Sequence, residues 1–343
     1  MQHCHTPRIL VVGSLVMDLI TSTTKIPGAG ETVIGCGFSS APGGKGANQA
    51  CQAARLGAQV TMVGKVGDDI FGQALIDSLA TSGVDVSHIV KDSTSYSAVG
   101  NVQLLQKDGK TLNNRIIVAP GTNYQLLPED LAFLEHSIQD YDMVMLQLEI
   151  PLETNIAVAR WAAAAGVPVM LNPAPSAPLP QELLSCLTYI SPNEHEAADL
   201  TGICLTDACG QLDGDRAAQA TKALQRSGVP NVLITLGSQG SILSYPNGQM
   251  QKPCVPDINA IDPTAAGDSF VAAFCVAVSA GLDQDDALTL ATHTAALTVS
   301  ALGAQPSLPY LSQVIHSLQK TDYYHQLAAE VGKKLGGTNY ESP

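Results

Sequence analysis

The segment Asp262–Asp268 reads Asp-Pro-Thr-Ala-Ala-Gly-Asp, and an apolar run over 270–278 follows it directly. The small residues fit a close turn, and the apolar run predicts a buried helix that begins there. The first amides of a helix lack intrahelical acceptors and stabilise an anion. Asp268 at this position can stay ionised and accept a proton. The segment therefore predicts an anion hole and a general base, which together suit phosphoryl transfer from a nucleotide to an alcohol. The alternative is an ordinary helix-capping Asp.

Outward from this junction, short apolar runs that end in polar residues or Gly recur along the chain. They occupy 9–12, 60–63, 143–146, 167–171, 187–190 and 232–235. Ala-rich helical segments lie between them, at 47–56, 155–165 and 215–227. Near-continuous apolar strands separated by helices predict an α/β fold with a doubly wound, mostly parallel sheet flanked by helices. Ligands of such sheets bind beyond the carboxyl ends of the strands.

Two segments do not follow this alternation of strands and helices. Residues of about 15–40 and 94–119 each resemble a pair of strands, and the second pair has a hairpin-like turn at 107–110. We expect them to form a small projecting β-sheet, which acts as a lid or a dimer surface. The prediction is thus one α/β domain over 1–321 with this lid, followed by a helical tail over 322–343 whose end is frayed.

Composition excludes several classes of partner. The formal net charge is −14, and 17 Lys and Arg cannot build the broad basic surface that nucleic acid requires. The longest apolar stretch, about 270–280, is too short to span a membrane, and the N-terminal residues lack a signal-peptide core. Eight cysteines without a Cys-x-x-Cys pair indicate free thiols in a reducing, cytoplasmic setting.

A glycine-rich segment, Pro42–Gln49, opens the first long helix and reads Pro-Gly-Gly-Lys-Gly-Ala-Asn-Gln. Glycines let the backbone approach a ligand closely, and Lys45 and Asn48 offer polar groups to a polyol. The segment matches neither the Walker A nor the dinucleotide-binding pattern. Asp18 and Glu149 follow predicted strands and could accept from sugar hydroxyls. The alternative for Asp18 is an ordinary turn residue, and the alternative for Glu149 is a solvated charge at the end of a strand.

Three further segments carry open alternatives. Asn193 and Glu196 lie three residues apart, which fits either a water-bridged Mg²⁺ site or a helix cap. The segment 235–240 could line an adenine or phosphate pocket or form a plain turn. The turn 303–307 could ligate a cation through its carbonyls, although turns of this composition are common.

The order of these motifs resembles the ribokinase family of sugar kinases over about residues 8–315. The matching segments are Gly13-Ser14 with Asp18, 43–48, Glu149, Asn172–Pro175, Asn193 with Glu196, 235–237, 262–268 and 303–307. The resemblance implies ATP-dependent phosphorylation of D-ribose at O5. It also implies the use of Mg²⁺ and of a monovalent cation, K⁺, and a homodimer formed through the lid.

The resemblance also implies a role for each matching residue. Asp268 would be the general base, and the anion-hole amides would be those of Ala265, Ala266 and Gly267. Besides Asp268, the sugar would contact Asp18, Gly44, Lys45, Asn48 and Glu149. ATP would contact Asn193, Thr235, Gly237, Gly240, Gly267 and Thr292. Glu196 would bind Mg²⁺ through water. The K⁺ ligands would come from Asp262, Thr264, Thr298, Ala301, Gly303 and Ser307.

The chain departs from the family pattern at two positions. Val16 stands where members often have Asn, and its side chain cannot bond a sugar hydroxyl. This departure narrows the preference for ribose and keeps 2-deoxyribose, and other sugars or nucleosides of the family, as alternative substrates. Thr292 stands where members often have Asn or His near adenine, and the adjacent His293 is a candidate to compensate.

Overall fold

A computed structural model describes residues 5–107, 110–207 and 211–336 of the chain. The strands are β1 Arg8–Val12, β2 Val16–Thr23, β3 Gly37–Gly43, β4 Gln59–Gly67, β5 Asp85–Asp92, β6 Val99–Lys107, β7 Lys110–Ala119, β8 Met143–Gln147, β9 Val169–Asn172, β10 Tyr189–Ile190, β11 Asn231–Thr235, β12 Ser241–Tyr245 and β13 Gly248–Lys252. The helices are α1 Lys45–Arg55, α2 Ile70–Thr81, α3 Leu134–Ser137, α4 Leu152–Ala164, α5 Gln181–Leu184, α6 Glu194–Thr201, α7 Gly214–Arg226, α8 Ala266–Ser279, α9 Gln284–Thr298, α10 Leu311–Gln319 and α11 His325–Leu335.

The large sheet has the strand order β13-β12-β11-β10-β9-β8-β1-β4-β5. Its pairs from β11 to β5 are parallel, and β12 and β13 add an antiparallel edge. The parallel strands are the predicted apolar runs, and every residue of β8 is buried. The predicted α/β fold is confirmed, because helices cover both faces of these strands.

Two apolar clusters hold the sheet between its helices. One cluster unites α1, α8, α9 and α10 on one face, and the other unites α4 and α7 on the opposite face. Helix α8 is buried along 268–277, so the apolar run after Asp268 is a core helix as predicted. Burial of this run anchors the start of α8 at the carboxyl ends of the strands.

The small sheet has the order β3-β2-β6-β7. The two predicted strand pairs therefore join into one sheet, through parallel pairing of β2 with β6. The register places Asp18, Ile20, Val102, Ile116 and Val118 on the same face, because directly paired residues point to the same side. Two residues of the predicted hairpin turn, 108 and 109, lie outside the described residues.

The segment predicted as a tail contributes to the core. In α11, Leu327, Val331 and Leu335 are buried and belong to the same apolar cluster as α10. Residues 337–343, where we expect fraying, lie outside the described part of the chain. None of the helices described is long and apolar enough to cross a lipid bilayer.

Candidate active site

Helix α8 begins with an unusual backbone conformation. Ala265 precedes the helix with a φ of 61°, a left-handed conformation that costs a non-glycine residue energy. The Ala266 amide donates to the Pro263 carbonyl over 3.2 Å. Within the described residues, no protein acceptor is found for the amides of Ala265 and Gly267. These two amides are available to an anion at the helix start.

Asp268 lies in the first turn of α8 and is only 6% exposed. Its Oδ2 accepts from Asn48 Nδ2 over 2.9 Å, and its Oδ1 accepts from Gln49 Nε2 over 3.1 Å. Burial raises the pKa of Asp268, although Lys45 and the two amides oppose this rise. A raised pKa brings the carboxylate closer to the range in which a general base works near neutral pH.

Glu149 connects the loop after β8 to the glycine-rich segment. Its Oε2 accepts from Ser14 Oγ over 2.5 Å and from the Lys45 amide over 3.0 Å. Burial, followed by the charge of Glu149, raises the pKa of Asp18 to about 6. The structure therefore brings Asp18, Lys45 and Glu149 together, as the sequence predicted for a sugar site.

The glycines beside these side chains provide space. Gly44 has a φ of 92°, and a Cβ there would lie 2.8 Å from the Val16 amide. A Cβ at Gly43 would lie 2.7 Å from Asp18 Oδ2, and one at Gly100 would collide with Asp18 Oδ1. The Asp18 carboxylate thus lies against two residues without side chains, which leaves room above it for a ligand.

Lys45 supplies positive charge at this point. Burial lowers the pKa of Lys45, but the carboxylates of Asp268, Glu149 and Glu196 outweigh burial, so the pKa is raised. The ammonium group is therefore charged at neutral pH. It can balance negative charge on a ligand between these carboxylates.

A cavity of about 190 Å³ lies beside Asp268, which forms part of its lining. Its lining includes Lys45, Asn172, Ser191, Asn193, Glu196, Thr235, Gly267 and Asp268. Asn193 Oδ1 caps α6 by accepting from the amides of 195 and 196, and Glu196 Oε2 accepts from the Asn193 amide over 2.9 Å. The helix-cap alternative for these two residues is thus realised, and both also face the cavity.

The other residues predicted to contact ATP lie outside the lining of this cavity. Gly237 begins a 3₁₀ turn, and Gly240 has a φ of 92° before β12. Thr292 is buried in α9, where its hydroxyl donates to the Leu288 carbonyl. His293 contacts Ser317 Oγ at 2.9 Å and packs edge-on against Tyr324. The His293 ring is thus held by the C-terminal helical segment, and its compensating role near adenine stays a prediction.

The predicted cation ligands surround one loop. Asp262 Oδ1 accepts from Thr264 Oγ1 over 2.6 Å, and Asp262 Oδ2 accepts from the Gly303 amide over 2.9 Å. Burial raises the pKa of Asp262, but these hydrogen bonds outweigh it and the pKa is lowered. The buried Thr298 hydroxyl lies 2.9 Å from Ser269 Oγ, directly after the predicted base. The Ala301 amide donates to the Thr298 carbonyl, and the Ser307 hydroxyl donates to the Ala304 carbonyl.

Two buried polar atoms indicate where ligands belong. Asn48 Oδ1 and Ser191 Oγ are buried without a hydrogen-bond partner in the described structure. Buried polar groups are normally paired, so an orphan beside a cavity is an acceptor or donor available to a ligand. Asn48 faces the region of Asp268, and Ser191 lines the cavity itself.

A larger cavity, of about 650 Å³, lies away from this site between the 176–179 segment, α6 and α7. Its lining holds Asp199 as its one carboxylate and includes no residue that the sequence predicted for chemistry. We therefore assign the active site to the smaller cavity beside Asp268.

Sequence reasoning missed the polar residues behind the base. Gln49 and Gln147 are fully buried, and Gln49 contacts Asp268, Asn172 and Gln147. Gln147 ends the otherwise apolar strand β8, and Gln49 stands among the Ala residues of α1. A polar residue in a segment whose neighbours predict full burial is the signal that could have identified both.

Comparison with known proteins shows the family to which the chain belongs. The family described as "pfkB family carbohydrate kinase" matches residues 6–311. A ribokinase of Bacillus subtilis is 38% identical over 307 residues, which cover 89% of this chain and 97% of that protein. A deoxyribokinase of Salmonella typhi is 32% identical over 306 residues, covering 89% of this chain and 96% of that protein. The structure of Arabidopsis thaliana ribokinase complexed with ribose and ATP superposes with a TM-score of 0.83 at 33% identity, covering 91% of this chain and 99% of that one.

Proposed function

Because the chain belongs to the pfkB family of carbohydrate kinases, we propose that it transfers the γ-phosphoryl group of ATP to O5 of D-ribose. The observation that carries this function is the position of Asp268. Its buried carboxylate lies at the start of α8, on the cavity, and is bound by Asn48 from the glycine-rich segment. One group thus lies beside both the predicted sugar site and the available amides.

The reaction follows from these positions. As the ribose O5 attacks the γ-phosphorus, its proton passes to the Asp268 carboxylate and the bond to the ADP oxygen breaks. The amides of Ala265 and Gly267 stabilise the negative charge on the transferring group, and the Lys45 ammonium adds a positive charge nearby. The amide of Ala266 donates to the Pro263 carbonyl, and this hydrogen bond fixes the backbone of the anion hole.

In this proposal the sugar is bound between the small sheet and α1. Asp18 and Glu149 accept from its hydroxyls, and the unpaired Asn48 Oδ1 accepts another. Gly44 keeps the backbone close to the ring. The small sheet acts as a lid that excludes water from the reacting groups.

ATP occupies the cavity and the loops beside it. Its phosphates approach Asn193, Thr235 and Gly267, which line the cavity. The nucleoside part extends toward Gly237, Gly240 and Thr292. We retain these three as proposed contacts, although they lie outside the cavity lining.

The residues present fit Mg²⁺. The described residues contain no group of three or more Asp, Glu, His or Cys side chains that could hold a metal ion. Glu196 faces the cavity together with the proposed base Asp268, and Mg²⁺ is often held by one carboxylate, waters and substrate phosphates. When bound, the ion neutralises phosphate charge. Glu196 would hold its waters while remaining bonded to the Asn193 amide.

The residues also fit a monovalent cation such as K⁺. The Asp262 carboxylate is anionic, and its hydrogen bond to the Gly303 amide joins the loop before α8 to the turn after α9. These two segments and the end of α9 supply the other oxygen atoms that could ligate the ion, those of Thr264, Thr298, Ala301, Gly303 and Ser307. Oxygen ligands of this kind suit a hard cation. The loop that they form leads directly into α8, so a bound cation would act by ordering the anion hole.

We further propose a homodimer formed through the small sheet. Ile116 and Val118 lie on the same face as Asp18 and are 55% and 50% exposed. Exposed apolar residues mark a contact surface, and Ile117 on the opposite face of the same strand is also exposed, at 69%. A cytoplasmic setting agrees with the free thiols of the exposed Cys36, Cys204 and Cys254. The net charge of −14 provides no surface for nucleic acid.

One observation favours 2-deoxyribose as a second substrate. Val16 is buried beside the face of Asp18, and its Cγ1 would lie 3.7 Å from a Cβ at Gly100. An apolar side chain at this point forms no hydrogen bond with a 2-hydroxyl. The chain therefore discriminates less against the deoxy sugar than a site with a polar residue there.

The test is ADP release from ATP with pentoses, hexoses and nucleosides, each with and without K⁺, and with NMR of the phosphorylated product. We expect the highest kcat/KM with ribose, 2-deoxyribose second, phosphate at C5, and faster turnover with K⁺. No ribose-dependent ADP release, or a higher kcat/KM with a nucleoside, would contradict the proposal.

A further inference from the structure

The side chain of Gln49 lies directly behind Asp268. It is fully buried in α1, and its Nε2 donates to Asp268 Oδ1 over 3.1 Å and to Asn172 Oδ1 over 3.3 Å. Its Oε1 accepts from Gln147 Nε2 over 2.7 Å. Every polar group of this amide therefore has a partner.

The neighbours determine which way the Gln49 amide faces. Because Asn172 Oδ1 and the Asp268 carboxylate can only accept, the nitrogen of Gln49 faces both of them and its oxygen accepts from Gln147 Nε2. The main-chain carbonyl of Gln147 accepts from Asn155 Nδ2 over 3.0 Å. Asn172 is fixed by its donation to the Ser191 carbonyl over 2.9 Å. A flipped Gln49 would point its oxygen at a carboxylate, which is unfavourable unless that carboxylate is protonated.

Gln49 does not reach the substrate side of the site. The cavity lining includes Asp268 and Asn172 but not Gln49. An effect of Gln49 on turnover must therefore pass through the two cavity residues that it contacts, Asp268 and Asn172, and only Asp268 is titratable. The charged groups that also act on Asp268 are Lys45 on α1, Glu149 after β8 and Glu196 on α6.

Resting on the proposed function, we propose that Gln49 is a positioning residue that holds the Asp268 carboxylate in one orientation and keeps it ionised for proton transfer, with Gln147 fixing Gln49. Asn48 holds Oδ2 and Gln49 holds Oδ1, so the plane of the carboxylate is fixed at both oxygens. Donors to a carboxylate favour its ionised form, whereas burial favours the protonated form. Without Gln49, the buried base takes up a proton at higher pH and turns away from the substrate more often.

The test compares the pH dependence of ribose phosphorylation in the full chain and in Gln49→Met, which keeps side-chain length and removes the donor. We expect kcat near pH 7 to fall about tenfold or more, and the acidic limb of the kcat profile to move up by about one pH unit. The KM for ATP should change less than about twofold, because Gln49 lies outside the nucleotide cavity. Gln49→Glu should move the limb further, since a second carboxyl group would face Asp268.

Gln52→Met is the matched control. Gln52 lies one turn further along α1, is fully buried, and donates to the Pro309 carbonyl over 2.9 Å instead of to Asp268. This variant also loses a buried hydrogen bond, yet its acidic limb should stay at the wild-type position. Asp268→Asn shows which group causes the acidic limb of the kcat profile. If that limb reports the titration of Asp268, it must be absent from the profile of this variant.

The outcomes separate the inference from the proposed function. If wild type releases no ADP with ribose, the proposed function fails. If wild type is active and the acidic limb of Gln49→Met stays at the wild-type pH, the positioning role is overturned, whatever happens to kcat. If Gln49→Met does not fold, Gln147→Met replaces it. A smaller upward shift then supports the role, and an unmoved limb overturns it.

Discussion

Asn48 Nδ2 donates to Asp268 Oδ2 over 2.9 Å and joins residues that are 220 positions apart in the chain. The other end of the same amide, Asn48 Oδ1, is buried without a partner. One side chain therefore faces the proposed general base with its donor and leaves its acceptor available to the proposed sugar. In the proposed function, sugar binding and base orientation depend on this residue, which connects the two signature segments of the chain.

The dual role of Asn48 predicts a loss in two kinetic constants at once. Asn48→Ala removes a hydrogen bond to a charged group, so we expect kcat to fall roughly 10- to 100-fold. The KM for ribose should rise because the sugar also loses an acceptor. Steady-state kinetics checks both values. Asn231→Ala removes a bond to the Thr188 carbonyl at the opposite end of the sheet, and both constants should stay near wild type. An unchanged kcat/KM in Asn48→Ala would contradict the assignment.

Asp18 predicts pH-dependent sugar binding. Burial and then Glu149 raise the pKa of Asp18 to about 6, so the carboxylate is ionised above this pH and protonated below it. A protonated carboxyl group accepts poorly from sugar hydroxyls. We therefore expect the ribose Kd to rise about tenfold per unit as pH falls below 6, measured by titration calorimetry without ATP. Asp18→Asn should bind weakly at every pH. A wild-type Kd that stays constant from pH 7 to pH 5 would refute this role.

A substitution of Glu196 can distinguish its role in capping α6 from its proposed role in binding Mg²⁺. A Gln at this third position of α6 still accepts from the Asn193 amide, so Glu196→Gln should melt within about 2 °C of wild type. The lost charge should raise the Mg²⁺ concentration for half-maximal activity roughly tenfold. Mg²⁺ titration of the initial rate checks this. Asp199→Asn on the same helix is the control, and an equal shift in both variants would argue against a metal role.

If the small sheet forms the dimer interface, one charged substitution on it should dissociate the dimer. Ile116 is 55% exposed on the face shared with Asp18, and Ile116→Lys should produce a monomer in sedimentation velocity. Ile70→Lys places the same charge on α2, where Ile70 is 79% exposed and outside the sheet, and should leave the dimer intact. Equal sedimentation of wild type and Ile116→Lys would contradict an interface at this face.

The elements that follow simple periodicity could be predicted from the sequence. Continuous apolar runs such as 143–146 predict strands buried on both faces, and the described sheet contains them as β8 and its neighbours. The start of α8 was predictable because small residues, an Asp and an apolar run coincide there. The parallel pairing of β2 with β6 was not, since residues 82 positions apart, such as Met17 and Val99, pair only through tertiary packing.

The buried polar contacts were the least predictable part of the site. Nothing local to Gln49 shows that its amide faces Asp268, because the contact depends on how α1 packs against α8. The surroundings of His293 were unpredictable for the same reason. One residue along a helix turns a side chain by about 100°, so Thr292 bonds within α9 whereas the His293 ring contacts Ser317 on α10.

In the proposed reaction, the Asp268 carboxylate takes the proton of the sugar alcohol beside the amides at the start of α8. Asp268→Asn keeps the side-chain shape and removes the base, so ribose-dependent ADP release should fall by about 10²–10⁴. Ribose binding by calorimetry should stay within a few-fold of wild type. Turnover by Asp268→Asn within a few-fold of wild type would contradict the account.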